Sequence, residues 1–300
     1  MTKSLPADTV SFDGKDREQW IKTIVSKRIS IKENKTTTDA FIGLFLNEKI
    51  AVEDLEPIHL VLLMCFIEHL HRIGYKVTLT SPNQAVNDHL YKTLKLRDYY
   101  IGDSPSHIKS EDDRILNLWK VKSKESIAYS QSVTDYFNRK FFNGYDMSAL
   151  KNALDEAYAN IADHANADNN AFSYIEYKPN DGKICIAICD FGLGIPYTLR
   201  RANPLYQSDS AALIDSLNIG VTAKTNVRNR GFGLDNILST LSDKDIFRIA
   251  SNKSLLYCFG NKNNIKTSDL DFNFQGTLIY FEVSTTSFPE DDMKDEVTII

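Results

Sequence analysis

The residues of this sequence that could carry chemistry begin with Glu156, Asn160 and Asp163, in the run LDEAYANIADHANAD at 154–168. On a helix their spacing of i, i+4 and i+7 places them on one face, opposite an apolar stripe that includes Leu154. A carboxamide one turn from two carboxylates can hold a hard cation and its waters. The same pattern also suits an ordinary amphipathic helix with a solvated polar face, so its meaning depends on the motifs that lie downstream in the chain.

A second group of residues comes after the run KICIAIC at 183–189, which is apolar on both faces and therefore predicts a central, buried strand. Asp190 leaves the end of that strand, where its carboxylate could accept a hydrogen bond from the exocyclic amine of adenine. Gly192 and Gly194, in DFGLGIP, let the backbone turn and approach a flat ring closely. The strand predicted for QGTLIYFEV adds Thr277 near its start as a further polar contact to the base.

A third group lies in RGFGLDN at 230–236, where Gly231 and Gly233 precede Leu234 and a predicted helix, LDNILSTL. The free N–H groups at the start of a helix favour phosphate. The segment just before it, TAKTNVRNRG, supplies cations that could reach β- or γ-phosphate oxygens, namely Lys224, Arg228 and Arg230.

Two other nucleotide-binding patterns can be excluded. D-F-G also occurs in protein kinases of the eukaryotic type, but this chain has no H-R-D and no glycine-rich loop near its N-terminus. The dinucleotide-binding pattern fails because Asn236 stands where its third glycine should be, and no G-x-x-x-x-G-K occurs.

Taken together, the order and spacing of the three groups resemble the GHKL ATPase superfamily, which includes gyrase B subunits, heat-shock chaperones, histidine kinases and mismatch-repair ATPases. Its N-box, a glutamate followed four residues later by an asparagine, matches Glu156 and Asn160. Its two glycine boxes are matched by Asp190, Gly192 and Gly194, and by Gly231, Gly233 and Leu234. The resemblance covers about residues 146 to 285.

This resemblance implies a Bergerat-type α/β sandwich, with a mixed, mostly antiparallel sheet and helices on one face, and it implies ATP and Mg²⁺ as cofactors. Asn160 would bind the Mg²⁺ that bridges the phosphates, and Asp190 would hold the adenine. Glu156 would act as the general base, and Asp163 would support the water shell of the metal or help to seat the nucleotide. Residues 220–230 would form a lid, so we expect ATP and Mg²⁺ to protect residues 220–233 from proteolysis.

The whole chain is predicted to be a two-domain α/β protein. We expect a small α/β domain at 1–110, a connecting strand and helix at 111–145, the ATP-binding domain at 146–288, and an acidic tail at 289–300.

The first of these domains resembles the STAS (anti-sigma-antagonist-like) domains in its pattern, especially from Leu60 to Tyr100. Alternation in RISIKE at 28–33 predicts a strand, and VEDLEPIHLVLLMCFIEHLHRIGY predicts a long core helix. No serine or threonine lies between Ala51 and Lys76, which argues against a phosphorylation switch there. An interaction with a protein partner, or homodimerisation, is the role that this leaves for the domain.

Composition restricts the other function classes. A net charge of −5 does not suggest a nucleic-acid-binding surface, and no apolar run is long enough to span a membrane. The N-terminus lacks the apolar segment of a signal peptide. Four cysteines without metal-type spacing suit a reduced, cytoplasmic protein: Cys65, Cys185, Cys189 and Cys258.

Two functions remain open. The first is ATP hydrolysis or phosphoryl transfer to a serine or threonine of a partner, as the resemblance to anti-sigma kinases implies. The second is a nucleotide-gated interaction module without significant turnover. A complete histidine kinase is not expected, because none of the six histidines has the sequence context of a phosphoacceptor.

Overall fold

The computed structural model describes residues 8–33, 40–99, 107–164, 171–218, 234–260 and 264–291. The chain is an α/β protein that contains a three-stranded parallel sheet and a five-stranded antiparallel sheet. Its strands are β1 (Thr9–Phe12), β2 (Phe41–Leu46), β3 (Lys76–Thr80), β4 (Ile115–Lys120), β5 (Ala171–Lys178), β6 (Lys183–Asp190), β7 (Ile246–Phe259) and β8 (Ile265–Ser284). Its helices are α1 (Arg17–Glu33), α2 (Pro57–Arg72), α3 (Gln84–Asp88), α4 (Ser126–Lys140), α5 (Ser148–His164), α6 (Ile195–Ala202), α7 (Asp209–Asp215) and α8 (Asp235–Thr240).

The small parallel sheet has the strand order β1-β2-β3, and α1 and α2 connect its strands. The predicted long core helix is confirmed as α2, which begins at Pro57 and ends just before Gly74, whose φ of 95° suits a helix end. Most of its residues are buried, as expected for a helix that is apolar on all sides.

The prediction of a strand at 28–33 is wrong, because these residues form the last turns of α1. The buried side chains of this helix recur at helical spacing and include Trp20, Ile24, Arg28 and Ile31. Arg28 belongs to the buried face although it is charged, and this hid the helical period. The strand that joins β2 and β3 in the sheet is β1 instead, which the sequence did not reveal.

The large sheet has the order β4-β5-β6-β8-β7, and all of its pairings are antiparallel, rather than mixed as the resemblance implied. The predicted hairpin is confirmed as β5 and β6, with Gly182 at φ 61° in the turn. Two differences concern the end of the chain: β7 was not predicted, and β8 begins at Ile265, well before the predicted start at Gln275.

The two faces of the large sheet are both covered. Along β6, Ile184, Ile186 and Ile188 face the hydrophobic cluster that contains α4 to α8. Cys185, Ala187 and Cys189 alternate with them and face the cluster that contains α2. Helix α2 packs directly on β5 and β6. The helices after β4 therefore share one face, as predicted, and α2 covers the other.

The four cysteines are buried and free. The Cys65 thiol of α2 donates a hydrogen bond to the carbonyl oxygen of Cys189 at 3.2 Å, so the two elements touch at this point. Within the described ranges, no helix combines the length and apolar character needed to cross a membrane.

Candidate functional site

Asp190 is the last residue of β6 and is fully buried. It pairs with Thr277 of β8 across the ladder, and strand alternation points both side chains toward the face that α5 covers. Its Oδ1 accepts a hydrogen bond from the Gly192 N–H at 2.6 Å, whereas no donor among the described residues reaches its Oδ2 with hydrogen-bond geometry. The hydroxyl and N–H of Thr277 lie near enough to the carboxylate to lower its pKa. Burial raises the pKa of this carboxyl to about 7, against the opposing effects of Gly192 and Thr277.

The loop after Asp190 is held from β7. Gly194 has φ 89°, and a Cβ atom there would overlap the side chains of Ser251 and Asn252. The Ser251 hydroxyl accepts a hydrogen bond from the Ile195 N–H at 3.0 Å. The Asn252 side chain donates to the Leu193 carbonyl and accepts from the Tyr197 N–H of α6, both at 3.0 Å. These contacts and the hydrogen bond from Gly192 to Asp190 hold the glycine loop at both of its ends.

Ser251 and Asn252 were not identified from the sequence, because they belong to no motif and lie in a strand that was not predicted. Asn252 has φ 51° and lies at an irregularity of the β7–β8 register. Asparagine is one of the few residues that adopt this conformation readily. Gly276 could have been recognised from the sequence, since a glycine inside a predicted strand often marks a close approach between two backbones.

Gly276 makes such an approach to the end of β6. Its φ is 135°, and a Cβ atom there would overlap the carbonyl oxygen of Asp190. The Ser251 hydroxyl also donates to the Gly276 carbonyl at 2.8 Å. The backbone of β8 at Gly276 is therefore packed closely against the backbone of Asp190.

Helix α5 carries the Glu156–Asn160 pair. Leu154, Tyr158 and Ile161 are buried beneath it, as the apolar stripe predicts. The Asn160 amide nitrogen donates to the backbone oxygen and to Oε1 of Glu156, at 2.9 Å each. Both bonds use the nitrogen, so in the described part of the chain the Asn160 Oδ1, the atom that could bind a cation, has no donor.

The remaining predicted site residues divide into two sets. Leu234 is buried just before α8, and α8 packs against α5 on the same side of the sheet as the Asp190 side chain. Asp163 lies in the last turn of α5, but its side chain is outside the described residues. The residues of the lid and glycine box before Leu234 also lie outside them, namely Lys224, Arg228, Arg230, Gly231 and Gly233.

The described residues include no group of three or more His, Cys, Asp or Glu side chains that could hold a metal ion by themselves. A cation at Asn160 would therefore need most of its oxygen ligands from water or from a bound ligand.

Comparison with known proteins adds no family to this description. A scan of the chain against protein-family models gives no match, and a search of curated proteins finds none with significant similarity.

Proposed function

We propose that this chain is an ATP-binding protein of the GHKL type, with a Bergerat-type domain that follows an N-terminal α/β domain packed against its sheet. The observation that carries the proposal is the Asp190 Oδ2, a fully buried carboxylate oxygen without a hydrogen-bond partner among the described residues. Such an atom is costly to bury and calls for a donor. The exocyclic amine of adenine would supply one, with Thr277 beside it.

The residues of α5 would face the phosphates. Asn160 would bind Mg²⁺ through Oδ1, because its amide nitrogen is already committed to Glu156. A bound Mg²⁺ would neutralise negative charge on the phosphate oxygens. Glu156 carries the carboxylate nearest to Asn160 and would accept a proton from the attacking water or hydroxyl. This favours ATP hydrolysis, or transfer to a serine or threonine of a partner protein.

A nucleotide-gated interaction module is the second candidate, and a specific contact favours it. Helix α2 lies against β6, and the Cys65 thiol donates a hydrogen bond to the carbonyl oxygen of Cys189, the residue before Asp190. A change at the end of β6 on nucleotide binding would therefore reach a helix of the unit that we propose to bind a protein partner.

Binding of a fluorescent ATP analogue with Mg²⁺ tests the site. We expect Asp190→Asn to weaken binding by at least about tenfold, because its one side-chain oxygen would be taken by the Gly192 N–H. Asp13→Asn, a change at an exposed carboxylate, serves as the matched control. Equal affinity in wild type and Asp190→Asn, with both proteins folded by circular dichroism, would refute the assignment.

Phosphate release separates the two candidate functions. Glu156→Gln keeps an acceptor for the Asn160 amide but removes the base, so it should bind the analogue normally and release phosphate much more slowly if the protein is an enzyme. If wild type and Glu156→Gln release phosphate equally slowly, the gated module is the better description. Asn160→Ala should lose Mg²⁺-dependent binding under both.

A further inference from the structure

A cavity lies on the face of the large sheet opposite to α5. It has a volume of about 720 Å³ and is enclosed by the start of α1, the start of α2 and the β7–β8 hairpin. Its floor is apolar and is formed by Ile21, Ile58, Ala250 and Leu278. This volume is in the range of cavities that hold small organic ligands.

The walls of this cavity are aromatic. Tyr257 and Phe259 of β7 contact each other edge to face at 5.9 Å, and Phe272 of β8 lines the same space. Phe259 is 47% exposed, so part of its ring is open to the cavity and to solvent. Aromatic walls of this kind favour a flat ring over a flexible aliphatic chain.

Two guanidinium groups, of Arg17 and Arg248, meet this apolar space. Arg17 is paired, since its Nε donates to the Glu56 carboxylate at 2.5 Å. Arg248 is partly buried, and its side chain makes neither a hydrogen bond nor an ion pair with the described residues; its guanidinium carbon lies 5.9 Å from the centre of the Phe259 ring. Burial and the nearby Arg17 charge lower the pKa of Arg248, so its positive charge is held there at a cost.

The carboxylates around Arg248 each have another partner. Glu56 and Glu282 partly offset the charge of Arg248, but Glu56 pairs with Arg17 and Glu282 pairs with Lys183 at 2.6 Å. Glu18 pairs with Lys22 at 2.8 Å, and Asp16 accepts a hydrogen bond from the Gln19 N–H at 2.7 Å. Lys15 is likewise engaged, with Asp54 at 3.4 Å. Arg248 is therefore the cation in this cavity that an incoming anion can pair with.

We propose that this cavity binds a small aromatic anion, with its ring system against Tyr257, Phe259 and Phe272 and its carboxylate or similar acidic group on Arg248. The guanidinium would form a charge-assisted hydrogen-bonded pair with that group, and the ring would cover the exposed face of Phe259. The site is independent of the proposed nucleotide site, because Asp190 points to the other face of the sheet.

Isothermal titration calorimetry with 2-naphthoate, using the full chain, tests this proposal. We expect saturable binding of one molecule per chain, and binding at least about tenfold weaker for the neutral 2-naphthalenemethanol. Arg248→Gln should weaken naphthoate binding by a similar factor and leave the alcohol unaffected. Lys253→Gln, which removes an exposed cation from the same strand outside the cavity, should bind naphthoate like wild type.

Phe259→Ala is the second variant, since truncation of a side chain that is 47% exposed should leave the fold intact. It should weaken both naphthalene compounds. Asp190→Asn should retain naphthoate binding, which separates this site from the nucleotide site. Unsaturable binding, equal affinity for the acid and the alcohol, or full affinity in Arg248→Gln would each overturn the proposal.

Discussion

The guanidinium carbon of Arg28 lies 4.1 Å from the centre of the Phe191 ring, and its Nη1 donates to the Gln275 carbonyl at 2.9 Å. Arg28 of α1 thus contacts Phe191, which follows Asp190, and Gln275, which precedes Gly276. The same positive charge opposes the rise that burial causes in the pKa of Asp190. Helix α1 therefore contributes to the electrostatics of the candidate site.

The stability of the protein should depend on the ionisation of Asp190. Its pKa is raised from 3.8 to about 7 on folding, so the folded state holds a proton that the unfolded state releases. The unfolding free energy should therefore fall as pH rises between these two values. We expect wild type to lose about 2 kcal/mol relative to Asp190→Asn between about pH 5 and about pH 7 in urea denaturation. A constant difference between the two proteins over this range would contradict the raised pKa.

Binding of adenosine should show the opposite dependence on pH. The amine of adenine donates a hydrogen bond, so it prefers the ionised carboxylate of Asp190, and ionisation is nearly complete only above the pKa of about 7. We expect the affinity for adenosine, which has no phosphate to titrate, to rise by about tenfold from about pH 6 to about pH 8. Calorimetry at several pH values measures this, and a flat profile would show that Asp190 does not contact the base.

Replacement of Arg28 should move that profile. Arg28→Met keeps an extended side chain beside Phe191 but removes the charge, so the pKa of Asp190 should rise and the pH midpoint of adenosine binding should rise with it. We also expect a loss of about 1–3 kcal/mol in the free energy of unfolding, because the hydrogen bond to Gln275 and the cation–π contact disappear. Arg97→Met is the control: its exposed guanidinium lies 4.8 Å from the Tyr91 ring, and its loss should leave the midpoint unchanged.

A methyl group at Gly276 should disturb the site through the backbone. Gly276→Ala introduces a Cβ atom that overlaps the Asp190 carbonyl at a φ of 135°, so we expect a loss of about 2 kcal/mol or more in stability. Gly14→Ala is the matched control, since nothing lies within 4 Å of a Cβ atom there. Thermal unfolding compares them, and equal melting temperatures would mean that β8 can move away from Asp190.

The ion pair between Glu68 of α2 and Lys120 of β4 should stabilise the contact between α2 and the large sheet. Its atoms are 3.0 Å apart, and its side chains are only 14% and 16% exposed. Lys120→Met leaves the carboxylate unpaired, and we expect a loss of about 1–3 kcal/mol, less than for a fully buried pair. Lys122→Met, which breaks an exposed pair with Glu125, should cost less than about 1 kcal/mol. In a double-mutant cycle, Glu68→Gln should recover part of the loss caused by Lys120→Met; purely additive effects would show that the pair does not interact.

Much of the fold can be predicted from hydrophobic pattern. The continuous apolar run before Asp190 predicts a buried strand, and α2 is recognisable because its length, its proline and its terminal glycine agree. The error at 28–33 has a physical cause: a buried arginine interrupts the apolar stripe of α1, and the alternating isoleucines beside it imitate a strand. Ile29 is in fact 52% exposed, whereas Ile31 is buried.

The residues of the candidate site that belong to sequence motifs could be predicted, whereas the residues that hold those motifs in place could not. The stripe that buries Leu154 and Tyr158 under α5, and the position of Asp190 at a strand end, could be inferred from the sequence. Ser251 and Asn252 could not, because they act by hydrogen bonds to the backbone of Leu193 and Ile195, which is distant in sequence. The β7–β8 hairpin that lines the cavity near Arg248 was also missed, because β7 was not predicted and β8 was predicted to begin only at Gln275.

Helix α2 has a consequence for how such a chain can be divided or recombined. It fills the space between the two sheets, so its removal would open the Cys185–Cys189 side of β6 to solvent. A fragment that begins after β3 and lacks α2 should therefore aggregate rather than fold by itself. The N-terminal part of the chain therefore cannot be replaced by an unrelated domain. Any replacement must supply a helix whose side chains fit the face of β5 and β6 that α2 covers.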